Sequence, residues 1–238
     1  MLTKQTLLCT ATGDHGDMIG CHGIRGKHVP WDESIRVPFL VRLPPSLPSS
    51  VAANGRAIPL LIDAPDIMPT LLSLCDLPVP PTVQGRDFSR VITGEQPVDP
   101  KMSSLLKVPV PYHLLRTQGI TEFRGVRTMQ YTYVRNIWGQ WLLYDNVNDP
   151  YQQNNLLAEN VPISTERKQV RRCCCSSADF STGFLSAINI SSEISMWQLV
   201  DELEEVLQGW LEKLGDAFEP GAVLLERAGL DHFWEANV

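Results

Sequence analysis

Residues 13–28 read GDHGDMIGCHGIRGKH and put five glycines, three histidines, two aspartates and a Gly-Lys pair into sixteen positions. Three readings compete for such a stretch: a phosphate-cradling loop, a metal site, or a turn without a site. The phosphate loop fails on spacing. G-x-x-x-x-G-K-[ST] needs Gly at 21 and Ser or Thr at 28, where the chain has Cys21 and His28, so the magnesium-binding hydroxyl is missing. A metal site fits better. Asp14 and His15 directly follow a strand-like run, at the C-terminal end where open α/β sheets place their chemistry. A carboxylate suits a hard divalent cation, and flanking glycines let the backbone aim side chains at one point. On spacing alone, Asp14 as a turn residue and His15 as a partner of nearby carbonyls explain the same residues.

The elements that must position this loop can be read on either side of it. TLLCTATG, residues 6–13, is apolar and β-branched and predicts a buried strand ending at Gly13. Such a strand so near the start, with nothing upstream to pair with it, leads to the expectation that an N-terminal part is lacking. SIRVPFLVRLP, residues 34–44, predicts a second strand, and residues 45–57 a loop. DAPDIMPTLLSLCDLP, residues 63–78, predicts a helix capped by Asp63 or Asp66, with Ile67, Leu71, Leu74 and Cys75 on one face and Pro78 as the stop. Residues 102–110 predict a further strand.

From Gly125 the sequence turns aromatic and β-branched: GVRTMQYTYVRN and WGQWLLYD predict an antiparallel hairpin turning near Asn136 to Gly139. SMWQLVDELEEVLQGWLEKLG carries Met196, Leu199, Val200, Leu203, Val206, Leu207, Trp210, Leu211 and Leu214 at helical spacing. Ser195 with Gln198 forms a capping-box pattern, Gly215 a C-cap, and the apolar stripe should pack on the hairpin sheet. Residues 161–194, Ser/Thr-rich with four basic residues and Cys173, Cys174 and Cys175, show no periodicity and read as an irregular insertion. Asn189-Ile190-Ser191 matches a glycosylation acceptor.

Bulk properties narrow the function. A net charge of -7 argues against nucleic acid as a partner, which requires a basic face. No run approaches the roughly 18 apolar residues of a membrane helix, so no membrane partner is expected. Six cysteines, none in a C-x-x-C pair, frame neither zinc nor a disulfide scaffold. The compartment cannot be read.

Taken as a unit, TLLCTATGDHGDMIGCHGIRGKHVPWDESIRVP, residues 6–38, closely resembles a segment of type I sulfatases, in the alkaline-phosphatase-like superfamily. That segment runs strand, Asp-His-Gly, Gly-x-His-Gly, Gly-Lys, then Glu-Ser-x-Arg-Val-Pro. DIMPTLLSLCDLPVPPTVQGRDFS and RGVRTMQYTYVRNIWGQWLLYDNVNDPYQQNNL resemble the family's following helix with its Gly-Arg-Asp turn and its C-terminal hairpin. The resemblance implies an α/β fold: a partial alkaline-phosphatase-like core over 1–115, followed by a small α+β subdomain over 116–238. That subdomain would hold the antiparallel sheet, the insertion at about 161–194 and the C-terminal helix.

It also implies sulfuric ester hydrolysis with one bound Ca2+ and a sulfated small molecule or sugar as substrate. Asp14 and His15 match the family's downstream pair of metal ligands, the remaining ligands lying in an N-terminal half. Lys27 matches the lysine that contacts the sulfate beside its leaving-group oxygen. A sulfuryl group in transit builds negative charge, so a cation on one side and an ammonium on the other stabilise it. His22 and His28 flank the pocket and could bind substrate or handle a proton; the structural alternative for each is a loop-ordering hydrogen bond. Glu33 and Arg36 read as a pair fixing the loop to the next strand.

One departure stands out. Sulfatases make formylglycine from the Cys or Ser of a C/S-x-P-x-R motif, and no Cys or Ser of these 238 residues sits in one. The expectation is therefore a C-terminal sulfatase fragment, inactive alone, whose partner is the missing N-terminal half. The alternatives are a phosphodiester or phosphonate monoester hydrolase of the same superfamily, or a non-catalytic remnant.

Overall fold

The computed structural model describes residues 8–44, 55–158 and 190–232. Its centre is a four-stranded antiparallel meander. β3 (Ser103–Val108), β4 (Phe123–Thr128), β5 (Tyr131–Asn136) and β6 (Gly139–Asp145) lie in sequence order. The register pairs Leu105 with Val126, Val126 with Tyr133 and Tyr133 with Leu143. The predicted hairpin is thus the last part of a larger sheet. GVRTMQYTYVRN is two strands because the chain reverses at Met129–Gln130, where Thr128 Oγ1 accepts from the Tyr131 amide at 2.8 Å.

Successive side chains of a strand point to opposite faces, so each strand serves two cores. On one face Val126, Tyr133 and Leu143 meet Val200, Leu203, Leu207 and Leu211 of the long helix α5 (Ile190–Leu214). This is the predicted packing, although Val206 and Leu214 stay exposed. The helix ends as read: Gly215 is left-handed (φ 61), and the Asp216 amide donates to the Leu211 carbonyl at 2.9 Å. Its start differs. Helix runs from Ile190, so Ser195 lies inside it rather than capping it, and residues 190–194 belong to the helix and not to the insertion. The rest of the predicted insertion, 161–189, and Asn189 of the acceptor pattern lie outside the described residues.

On the opposite face Phe123, Val134, Leu142 and Tyr144 meet Met18, Ile24, Val29 and Trp31 of the glycine-rich loop. Leu115 in the middle of α4 (His113–Thr117) and Ile120 just after it complete that core. The loop is therefore carried by the sheet.

β1 (Cys9–Thr12) pairs antiparallel with β2 (Phe39–Arg42), and all four of its residues are exposed, against the expected buried strand. The reason is that β1 has one neighbour, and among the described residues nothing covers its faces. The second predicted strand is also shorter. Ser34 and Ile35 close the helical turn α1 (Asp32–Ile35), because their amides return to the Trp31 carbonyl and that of Arg36 to Asp32. The predicted helix at 63–78 is α2 (Ala64–Leu74), capped by Asp63 with Asp66 in a reciprocal box and ended by left-handed Asp76 before Pro78 is reached. Asp66 holds Arg86 at 3.0 Å, and Gly85 comes so close to Pro65 that a Cβ would lie 1.8 Å from its carbonyl oxygen. α3 (Ser89–Ile92) and α6 (Gly221–Arg227) are short. Of the predicted loop at 45–57, residues 45–54 lie outside the described residues.

Candidate functional site

The loop is folded by internal backbone bonds and anchored by apolar side chains. The Met18 amide donates to Gly26 (2.8 Å), that of Gly20 to Ile24 (3.0 Å), and a 3-10 turn spans Cys21–Gly23. Met18 and Val29 are almost fully buried. Ile19, His22 and His28 take left-handed conformations (φ 44, 55 and 64). Such conformations are costly for side-chain-bearing residues and persist where the surroundings enforce them. Gly16 is required sterically: its amide donates to the Ser34 carbonyl at 2.9 Å, and a Cβ there would lie 1.9 Å from the Glu33 carbonyl oxygen.

This folding brings Asp14, His15 and Lys27 together. His15 Nε2 lies 3.3 Å from Asp14 Oδ2 and 2.5 Å from Lys27 Nζ. His15 Nδ1 is 2.7 Å from the Gly16 carbonyl, so Nδ1 carries the proton and donates, which leaves the Nε2 lone pair facing Asp14 and Lys27. That tautomer is the one a metal ligand needs. The Asp14 carboxyl is held below its ordinary value by backbone amides, those of Asp14 and His15 foremost, then by His15 itself. Two donors are well short of the six to eight that calcium takes, and among the described residues no group of three or more His, Cys, Asp or Glu could hold a metal ion. The pair fits part of a cation site. A broad groove runs from Asp14, His15 and His28 along Ser34, Phe39 and Arg127.

The two flanking histidines separate. His28 is exposed, and its imidazole meets Tyr112 edge-on with ring centres 5.6 Å apart. Its pKa is lowered first by desolvation and then by the Lys27 ammonium, and it lines the groove with Asp14 and His15. His22 instead turns away onto Trp31, stacked at 5.1 Å. Burial lowers its pKa against the opposing pull of Glu33 and Asp149. Its Nε2 lies 3.9 Å from Glu33 Oε2, and both atoms are buried without a hydrogen-bond partner among the described residues.

The expected Glu33–Arg36 pair does not form. In α1 the i, i+4 spacing sets Arg36 over Asp32 (3.2 Å), while Glu33 faces His22. Asp32 is the true anchor. Its carboxylate also receives Arg127 from β4 at 3.2 Å, and its amide donates to Gln152 Oε1 at 2.9 Å. Gln152, 1% exposed and left-handed (φ 53), donates in turn to Thr132 and Asn146. Trp31 Nε1 donates to the Tyr144 hydroxyl (3.1 Å), whose pKa is pushed up to about 12, chiefly by burial. Gln118 clamps both backbone groups of Arg25. The bonds that tie the loop to Arg127, Gln152, Tyr144 and Gln118 have no local signature: they join segments about a hundred residues apart.

The fold, a strand end and a glycine-rich loop over an antiparallel sheet, is shared with solved structures. A 2-O GAG sulfatase superposes with TM-score 0.60 at 20% identity, over 89% of this chain and 37% of that one. A structure solved in complex with its substrate D-glucosamine-2-N,6-O-disulfate gives 0.58 at 18%, over 90% and 35%. Residues 20–174 match the family model described as N-sulphoglucosamine sulphohydrolase, C-terminal, and the chain belongs to that family. The match takes in Lys27; Asp14 and His15 precede it. An ulvan-active sulfatase of Formosa agariphila is 38% identical over 160 residues, 66% of this chain and 30% of that protein. An endo-4-O-sulfatase of Bacteroides thetaiotaomicron is 36% identical over 177 residues, 68% and 34%. The chain thus spans about a third of the length of these relatives.

Proposed function

We propose that these residues serve a sulfuric ester hydrolase acting on a sulfated sugar, with Asp14 and His15 holding a calcium ion and Lys27 contacting the sulfate. The convergence of Asp14, His15 and Lys27 on one loop, in a chain of this family, carries the reading. Bound calcium would supply fixed positive charge to the sulfate oxygens. Lys27 acts as a point charge on a flexible stem that can follow oxygens whose charge grows as the ester bond stretches. His15 is oriented by Gly16 so that its lone pair faces the site, and His28 lies on the rim. The substrate class is drawn from the relatives, two of them named for ulvan and for endo-4-O-sulfate activity and one solved with a disulfated glucosamine. His22, stacked and half-buried, orders the loop.

The test is turnover by the full-length protein, matured to carry formylglycine and supplied with calcium. Lys27→Ala should lower turnover about 10²–10³-fold, the usual effect of removing one charge-stabilising donor. Unchanged turnover would sink the assignment. A side-by-side assay with a phosphodiester and a phosphonate monoester tests the superfamily's other chemistry; equal or faster hydrolysis of either would favour that chemistry. The 238 residues alone, which contain no formylglycine motif, should release no sulfate and bind calcium weakly or not at all.

A further inference from the structure

Tyr112 is an aromatic side chain placed where the sulfate chemistry itself does not need one. It leads into α4, is 38% exposed, and comes from a segment about eighty positions beyond the loop. Its contacts bracket Lys27. The phenol oxygen lies over Gly26, so close that a Cβ at that glycine would be 2.9 Å from it, and its ring stands at 87° to that of His28. Leu115 is fully buried and Gln118 bonds to Arg25, which fixes α4 against the loop. Leu114, 43% exposed, also reaches toward Gly26. His28 lines the groove with Asp14 and His15, and Tyr112 packs on His28 and over Gly26, the two neighbours of Lys27 in the chain.

We propose that Tyr112 is a specificity-determining residue, its ring forming with His28 the wall against which the sugar ring bearing the ester packs. The inference rests on the sulfuric-ester reading above. A pyranose presents an apolar C–H face and polar hydroxyls, and tyrosine matches both with an apolar ring and a polar tip. The segment holding it is anchored by Leu115 and Gln118, which limits the ordering cost when a ligand arrives. The contact belongs to the leaving group and not to the sulfate, so it selects substrates without taking part in bond cleavage.

The experiment uses the full-length protein. Binding of a panel of monosulfated hexoses and hexosamines is measured by calorimetry, and sulfate release is followed for the best binder and for propyl sulfate, which has no ring. Tyr112→Ala should weaken sugar sulfate binding about tenfold and leave propyl sulfate turnover unchanged, and Tyr112→Phe should bind within about twofold of wild type. Equal losses for both ligands, or a loss matched by a lower Tm, would make Tyr112 a structural support and overturn the proposal. If wild type binds sugar sulfates but hydrolyses none, while Tyr112→Ala still weakens binding, the hydrolase reading falls and the Tyr112 assignment stands. If wild type binds no member of the panel, both fall.

Discussion

The four-stranded sheet is covered on one face by helix α5 and on the other by the glycine-rich loop. The helix cover follows one rule: Val200, Leu203, Leu207 and Leu211 recur at helical spacing and fill the gaps between Val126, Tyr133 and Leu143. The loop cover has no period. It is held by four spaced apolar anchors and by polar seams, Trp31 to Tyr144, Asp32 to Gln152 and Arg127, and Arg25 to Gln118. A periodic cover stabilises; an aperiodic one leaves the backbone free to turn chemistry outward, which is where Asp14, His15 and Lys27 stand. Changes on the helix face should therefore act on stability, and changes on the loop face on the site.

The largest stability effect should come from the ion pair that closes the helix cover. Arg124, 1% exposed, donates to both oxygens of Asp216 (2.7 and 3.1 Å) just past the end of α5, and its guanidinium lies over Phe218. Asp216→Asn leaves a buried cation without its counter-charge and should cost about 3–5 kcal/mol at pH 7 by urea unfolding. Burial alone would raise the Asp216 carboxyl pKa, but its bonds from Arg124 and the Phe218 amide prevail and lower it. A carboxyl with a depressed folded-state pKa contributes stability that is present above the unfolded value. That contribution should fade as pH drops below about 4, so wild type and variant should converge in acid. A gap that does not narrow at all as the pH falls below about 4 would show that the loss is one of packing and not of charge.

Leu207→Ala comes next. The side chain is fully buried in the helix core, and truncation should cost about 2–5 kcal/mol. The comparison is sharpened by turnover measured on the full-length variant below its Tm, which should match wild type because Leu207 faces away from the loop. A drop in turnover of the folded variant would break the division between the two faces.

The same division governs what could be read in advance. The stripe of α5 and its Gly215 stop are periodic and local, and both were legible. Its first turn was not, because ISSEIS is serine-rich and β-branched, residues of modest helix propensity that neighbouring structure has to recruit. In the loop the chemical types of Asp14, His15 and Lys27 were legible from their density, and the structure brings them together. Its supports were hidden, since Trp31 finds Tyr144 across 113 positions and Asp32 finds Gln152 across 120. β1 misled for a related reason: apolar composition records what a strand is built to meet, while exposure depends on which neighbours are there.

The smallest effect tests that lesson on a single carboxylate. Arg36 and Arg127 each lie 3.2 Å from Asp32 Oδ2, so distance ranks them equal. Burial does not: the Arg36 side chain is 71% exposed and that of Arg127 12%. Water screens the first pair and competes for its hydrogen bond, so Arg36→Ala should change stability by about 0–1 kcal/mol. Arg127 is shielded and joins the loop to β4, and its loss leaves Asp32, nearly buried, with only a solvated partner. Arg127→Ala should therefore cost more, about 1–3 kcal/mol, and should weaken turnover as well, because Asp32 is the point at which the sheet holds the loop. Equal costs for the two alanine variants would mean that the short helical turn, and not the sheet, sets the position of the site.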